Sequence, residues 1–242
     1  MAGKKSAPAK RTAEKVVKKK GRPLFRVSWI SEWETLKRSE EQCRYTGVKA
    51  RVLRALGKTD KEVCFARIRT TSTTDVVSHV ILDRIRKSDV VIVDLSAKTN
   101  ADVASKPLCE AGASFRSSFN PNVLWEFGAA FAFLMERTRL LELFPDERAE
   151  FLRTKDVIPN VRAIFVAIRQ ESKGMCGKLE LHRLLPADML GFYLNTYSID
   201  KKKIAKFDDG RSFAAMMKTI LREFEDDARR NIENQAAHSA KN

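Results

Sequence analysis

Apolar positions along this chain alternate between two spacings. Short, nearly continuous apolar runs occur at Phe25–Ile30, Val63–Ile68, Val90–Leu95, Ala163–Ile168 and Phe192–Ile199. Runs of this length, rich in β-branched residues, predict strands covered on both faces. Between them the spacing lengthens to that of helices. One helical stretch passes through Trp33, Leu36, Cys43, Val48, Val52 and Leu56 and is stopped by Gly57, as glycine does past a helix end. Ser72-Thr73-Thr74-Asp75 resembles a capping box ahead of Val77, Val80, Ile81 and Ile85, which share one helix face. A third helix is expected from Asn122 through Ala132 and Leu134 toward Leu141, a short one near Pro145, and a last one carrying Phe213, Met217, Ile220 and Phe224.

Strands alternating with helices predict an α/β fold, a three-layer sandwich with a mostly parallel sheet of about five strands. Its crossovers should be right-handed. Residues 24–227 are expected to form a single domain, with a polar, fraying tail at 228–242. In such sheets ligands bind beyond the carboxyl ends of the strands, where strand order reverses.

Asp94, Ser96 and the segment Asn120–Glu126 all fall at that edge in this reading. The run Asp89–Ser96 reads as a buried strand leaving its sheet. Asn120-Pro121-Asn122 reads as a helix start, with asparagine as cap and proline tolerated in the first turn. Between them, Ala97–Phe119 is mixed and polar, long for a connection within an α/β unit and of the kind used for lids, binding loops or insertions.

The chemistry concentrates on Glu126, a lone carboxylate between Leu124, Trp125 and Phe127. With Asn120 or Asn122 as cap it lies in the first or second turn, where the helix dipole favours an ionised acid. That alone is a structural reason for an acid; its greasy neighbours argue for a site instead, since a solvated face rarely looks like this. An ionised carboxylate beside a sugar can serve as nucleophile or stabilise an oxocarbenium-like transition state. Asp94 is a candidate for ribose hydroxyls, or an acceptor for backbone N–H groups in the next turn. Ser96 has the same two readings. Asn120 and Asn122 are caps first and ligand contacts second. Trp29 and Trp33 are candidates to stack on a base, or core residues. Arg67, Arg69 and Arg84 are candidate phosphate contacts or solvated ends. Gly128, Ala129, Ala130 and Ala132 read as small residues that let the helix approach the sheet closely.

Charge changes this picture at one place. Residues 1–23 carry nine lysines and arginines against Glu14 alone, more than half of the chain's formal +15. This leader reads as a disordered arm that either touches nucleic acid through phosphates, without sequence preference, or solubilises the chain. No apolar stretch approaches the roughly 20 residues that cross a bilayer, so no membrane partner is expected. Cys43, Cys64, Cys109 and Cys176 are scattered, without a CxxC pair, and the histidines are His79, His182 and His238. No metal is expected, and the pattern suits a reducing, cytoplasmic setting. Walker loops and GxGxxG are absent, and Gly112 stands alone between Ala111 and Ala113. This argues against a P-loop nucleotide triphosphatase or a Rossmann oxidoreductase.

Ser88-Asp89-Val90-Val91-Ile92-Val93-Asp94-Leu95-Ser96 followed by Asn120-Pro121-Asn122-Val123-Leu124-Trp125-Glu126-Phe127-Gly128-Ala129-Ala130 resembles the bacterial TIR-like and nucleoside 2-deoxyribosyltransferase-like proteins. Their hallmark is a strand ending Asp-Leu-Ser/Thr and an Asn-Pro-Asn-Val-x-Tyr-Glu-Leu-Gly helix. Leu185-Pro186-Ala187-Asp188-Met189 and a strand reaching Tyr197 are similar to later features of the group. The resemblance spans roughly 75–225. It implies a flavodoxin-like fold, a nucleotide or nucleoside ligand, no cofactor beyond NAD or a nucleoside as substrate, and an N-glycosidic bond as target. It also implies that Glu126 is the carboxylate at the anomeric carbon and, since enzymes of the group often work as assemblies, a homo-oligomer; some members are nucleotide sensors in phage defence, so the alternatives to an enzyme are a non-catalytic nucleotide sensor or a nucleic-acid-associated protein acting through its basic leader. Trp125 and Phe127 depart from the hallmark's Tyr and Leu, and the insertion at 97–119 separates motifs that normally lie closer.

Overall fold

A computed structural model of the chain describes residues 24–31, 38–68, 77–95, 120–142, 159–169, 192–199, 205–207 and 210–239. The basic leader, Trp33, Ser96, the insertion at 97–119, the capping box at 72–75 and the short helix near Pro145 lie outside them. The elements in order are β1 (Phe25–Ser31), α1 (Arg38–Leu56), β2 (Val63–Arg67), α2 (Val77–Arg86), β3 (Val90–Asp94), α3 (Pro121–Glu142), β4 (Ala163–Arg169), β5 (Tyr193–Ile199), β6 (Ala205–Phe207) and α4 (Gly210–Ser239).

The sheet runs β2-β1-β3-β4-β5-β6. The first five strands are parallel, and β6 pairs antiparallel with β5 through Tyr197↔Phe207 and Ile199↔Ala205. The 2-1-3-4-5 order of the parallel strands is that of flavodoxin-like folds, with the switch point between β1 and β3. Here β1 meets β3 with Val27 opposite Val90 and Ser31 opposite Asp94.

Alternation within the strands divides the core in two. Ile30, Val91, Val93, Ile164, Val166 and Ile168 face one way and pack with Ile85 of α2 and Val123, Phe127 and Ala130 of α3. Phe25, Val27, Trp29, Val90, Ile92, Phe165 and Ala167 face the other way, against Val48 and Val52 of α1 and Phe213 and Met217 of α4. Both sheet faces are therefore closed by helices, which is why β3 reads VVIVD with every residue buried. Gly57 takes φ +64° just past α1 and accepts no side chain without strain. Its N–H donates to the carbonyl of Arg54.

The expected mostly parallel sheet of about five strands is present, with a short antiparallel strand added at its edge. Two details differ. The last helix continues to Ser239, so the boundary expected at 227 falls inside it. Gly128 does not serve close packing: it is exposed, and a Cβ there would meet nothing within 4 Å. Ala130 is fully buried and Ala129 packs beside it, so the small-residue contact with the sheet is theirs. Gly128→Ala is accordingly expected to stabilise the fold by about 0.5–1 kcal/mol, the helix-interior difference between the two residues. A chemical-denaturation midpoint that falls instead of rising would count against this placement.

At the amino edge of the sheet Asp227 of α4 collects three guanidinium groups. Arg162 Nη1 donates to it at 2.7 Å, Arg137 Nη2 at 3.2 Å and Arg230 Nη2 at 2.6 Å. Burial works against its charge, but these arginines outweigh it and hold its pKa below the ordinary carboxylate value. Arg162 also reaches Asp89 at 3.4 Å, and Arg137 donates to the carbonyl of Pro159 at 3.2 Å. The cluster joins α3, on one sheet face, to α4, on the other.

Candidate functional site

The switch point is flanked by two helices that leave adjacent strands on opposite faces. After β1 the chain enters α1, and after β3 it enters α3. Each helix brings one charged side chain to the carboxyl edge from its second turn: Arg44 from α1 and Glu126 from α3.

Asn120 caps α3. Its Oδ1 accepts the N–H of Asn122 at 2.9 Å, and its carbonyl accepts the N–H of Leu124 at 3.2 Å. Pro121 then occupies the first helical position, where its missing N–H costs nothing. Of the two caps open in the sequence, Asn120 is the one used, and Asn122 is exposed. Asn120→Ala is expected to cost about 1 kcal/mol of stability through the lost cap. Thermal melting would register this, and an unchanged midpoint would mean that the helix start is held otherwise.

With that cap, Glu126 is the sixth residue of α3 and belongs to its inward stripe with Val123, Phe127 and Ala130. It is only 8% exposed. Burial raises its pKa to about 7, against the opposing charge of Arg67. At neutral pH the carboxyl is thus close to evenly divided between its two forms, where proton transfer and charge stabilisation are both accessible.

Arg67 ends β2. Its guanidinium lies over the indole of Trp29 at 5.4 Å from the ring centroid. Arg44 approaches the same ring at 5.8 Å. Trp29 is fully buried, in register with Arg67 on one side and Ile92 on the other. It is a core platform for two cations and does not offer a face for stacking on a base. Ser31, the last residue of β1, is 4% exposed, and its hydroxyl has no hydrogen-bond partner among the described residues.

Asp94 is 1% exposed and on the α1 side of the sheet. Its Oδ2 accepts from Arg44 Nη2 at 2.8 Å and from the Tyr197 hydroxyl at 2.5 Å. Burial disfavours the Arg44 charge, but Asp94 and Tyr197 outweigh it and hold the guanidinium's pKa above its ordinary value. Asp94 thus ties the ends of β3 and β5 to α1. The edge position expected for it holds. The reading as a contact for ribose hydroxyls meets a carboxylate already engaged from two sides. Arg44 and Tyr197 were not singled out from the sequence. They lie 50 and 103 residues from Asp94, and no local pattern links them to it.

A concavity of about 340 Å³ lies between α3 and α4 at the opposite, amino edge. Arg137, Arg162 and Arg230 line it together with Glu223, Asp226 and Asp227. Its charges are balanced, and it lies at the strand ends that open α/β sheets do not use for ligands. The carboxyl-edge cluster around Glu126 is the better candidate.

No protein-family model matches the chain, and no curated protein matches it either. Among the described residues no helix is long and apolar enough to cross a membrane.

Proposed function

We propose that this protein cleaves, or transfers at, the N-glycosidic bond of NAD or a nucleoside, in the manner of TIR-like and deoxyribosyltransferase-like enzymes. The observation that supports this most is Glu126: a carboxyl 8% exposed, in the second turn of a helix beside the sheet's switch point, with its pKa near 7. A carboxylate stripped of water is a stronger partner for positive charge than a solvated one. The anomeric carbon develops such charge as the base departs.

In this mechanism the ionised Glu126 oxygen bonds to the anomeric carbon while the bond to the base nitrogen breaks. The base leaves with the electron pair, neutral at once if it was a nicotinamide cation, and otherwise after taking a proton. Water, or a second base, then attacks the same carbon and releases Glu126. Asp94, held by Arg44 and Tyr197, is a positioning residue for the strand end. Because the ionised form attacks, kcat/KM should rise as pH increases through about 7 and then level off.

The test is incubation of wild type and Glu126→Gln, at high protein concentration, with NAD and a set of nucleosides, read by chromatography. Free nicotinamide or free base from wild type alone is the expected result. No product from wild type, with a ligand-induced thermal shift that Glu126→Gln abolishes, would replace the enzyme by a nucleotide sensor. The basic leader and a homo-oligomer belong to the same proposal as aids: the first attracts polyanions without sequence preference, and the second accounts for assays at high concentration.

A further inference from the structure

The outward side of α3 carries a pattern that the fold of a single chain does not require. Between Pro121 and Met135 the only charged side chain is Glu126, and it is buried. On the outside, Trp125, Phe131 and Met135 are 48%, 38% and 51% exposed. Gly128 and Ala132 between them are exposed as well. Positions 125, 128, 132 and 135 are three and four residues apart, which sets them on one stripe of the helix. Glycine weakens a helix interior, and a Cβ at Gly128 would meet nothing within 4 Å. No packing among the described residues therefore asks for glycine there.

The stripe reads the same in both directions. Its bulky ends, Trp125 and Met135, and its small centre, Gly128 and Ala132, are symmetric about Ala130. Two antiparallel helices related by a two-fold axis set each residue against its counterpart on the other side of that axis. An axis at the level of Ala130 places Trp125 against Met135 of a second copy, and Gly128 against Ala132 of that copy. The small centre lets the two backbones approach closely, and the bulky ends close around the crossing. We propose that this face of α3 pairs with the same face of a second copy of the chain. A side chain of this size presents roughly 200 Å², so the three exposed ones leave about 300 Å² on each copy, the size of a functional surface patch. A pair covers about 600 Å² plus its flanks, in the range of transient interfaces that form as concentration rises. The pairing gives the homo-oligomer named above its surface and does not depend on the glycosidic reaction. It braces from outside the helix turn whose inner side carries Glu126.

The test is sedimentation velocity of the full chain from about 1 to about 200 μM, the span in which a transient interface of this size fills. Wild type should pass from monomer to dimer across that range. Trp125→Glu should weaken the association at least about tenfold, since it sets a charge against an apolar counterpart. Adding Met135→Lys to Trp125→Glu in the same chain should restore most of the loss, because opposite charges then face each other across the axis. Both positions are exposed, so neither change disturbs the core. Met216→Glu, at an exposed apolar position of α4, should associate as wild type does. A wild-type chain that stays monomeric at the highest concentration, a Trp125→Glu variant that associates normally, or an equal loss in Met216→Glu would overturn the pairing. A double variant no better than Trp125→Glu alone would overturn it too, since the antiparallel register is part of it. The readout is mass and not turnover, so a protein that releases no base leaves the pairing standing.

Discussion

Glu126→Gln is expected to lower base release by at least about 10²-fold, the scale of removing a charge-bearing group that acts in the transition state, and at the same time to stabilise the fold at alkaline pH. The second effect follows from the first residue's burial. Its pKa stands at about 7 in the folded chain against an ordinary 4.5, so the folded state holds its proton more tightly than the unfolded one. A raised carboxyl pKa contributes stability below about pH 4.5 that is lost as pH rises through about 7. At the usual conversion of about 1.4 kcal/mol per tenfold, the loss amounts to about 3 kcal/mol above pH 8. Glutamine does not ionise. The variant should match wild type near pH 4.5 and exceed it by up to about 3 kcal/mol at pH 8–9, as read from paired urea titrations across pH. Parallel curves would mean that Glu126 ionises without penalty and that its position reflects packing alone. A residue whose removal stabilises the fold while abolishing activity is one kept for its chemistry.

The second large effect belongs to Asp94. Asp94→Ala leaves the Arg44 guanidinium buried without its carboxylate and the Tyr197 hydroxyl without its acceptor. Breaking such a pair from one side costs about 3–5 kcal/mol, a large share of the roughly 5–15 kcal/mol that holds a domain folded. Tyr197→Phe removes one hydrogen bond to a charged acceptor and should cost about 1.5–3 kcal/mol. Replacing Arg44 by Met and Asp94 by Leu together should recover much of what Asp94→Ala loses, because the buried charge goes with its partner. The measurement is a set of denaturation midpoints for the single and double variants. A fully folded Asp94→Ala chain with wild-type stability and selectively impaired ligand binding would return Asp94 to the role of a ligand contact.

The parallel core was legible because its strands are covered on both faces, so Val90–Val93 and Ala163–Ile168 had to be apolar throughout. Three-residue β6 carries no such signal: Ala205-Lys206-Phe207 pairs because β5 offers it an edge. The helical stretch beyond Asp227 is polar, and its helix-forming composition says nothing about where it stops. Glu126 stood out because its sequence neighbours Leu124, Trp125 and Phe127 are apolar, which the helix dipole alone does not explain. The partners of Asp94 did not stand out. Arg44 is one cation among many in a polar helix, and its significance arises only when β1, β3 and β5 are set side by side. For the same reason Trp29 could be read either as platform or as core, and only the sheet decides between them.

The Asp227 cluster at the amino edge has a mechanical side. It ties the helix layers of the two sheet faces together around one end of the strands, like a binding along the spine of a book. Relative tilting of those layers therefore has its pivot at that spine. Strands of seven residues extend about 20 Å beyond it. A tilt of about 5° at the spine becomes about 2 Å at the far edge, by the lever of that length. The displacement is greatest at the carboxyl edge, where Glu126 sits, and least where the arginines meet Asp227.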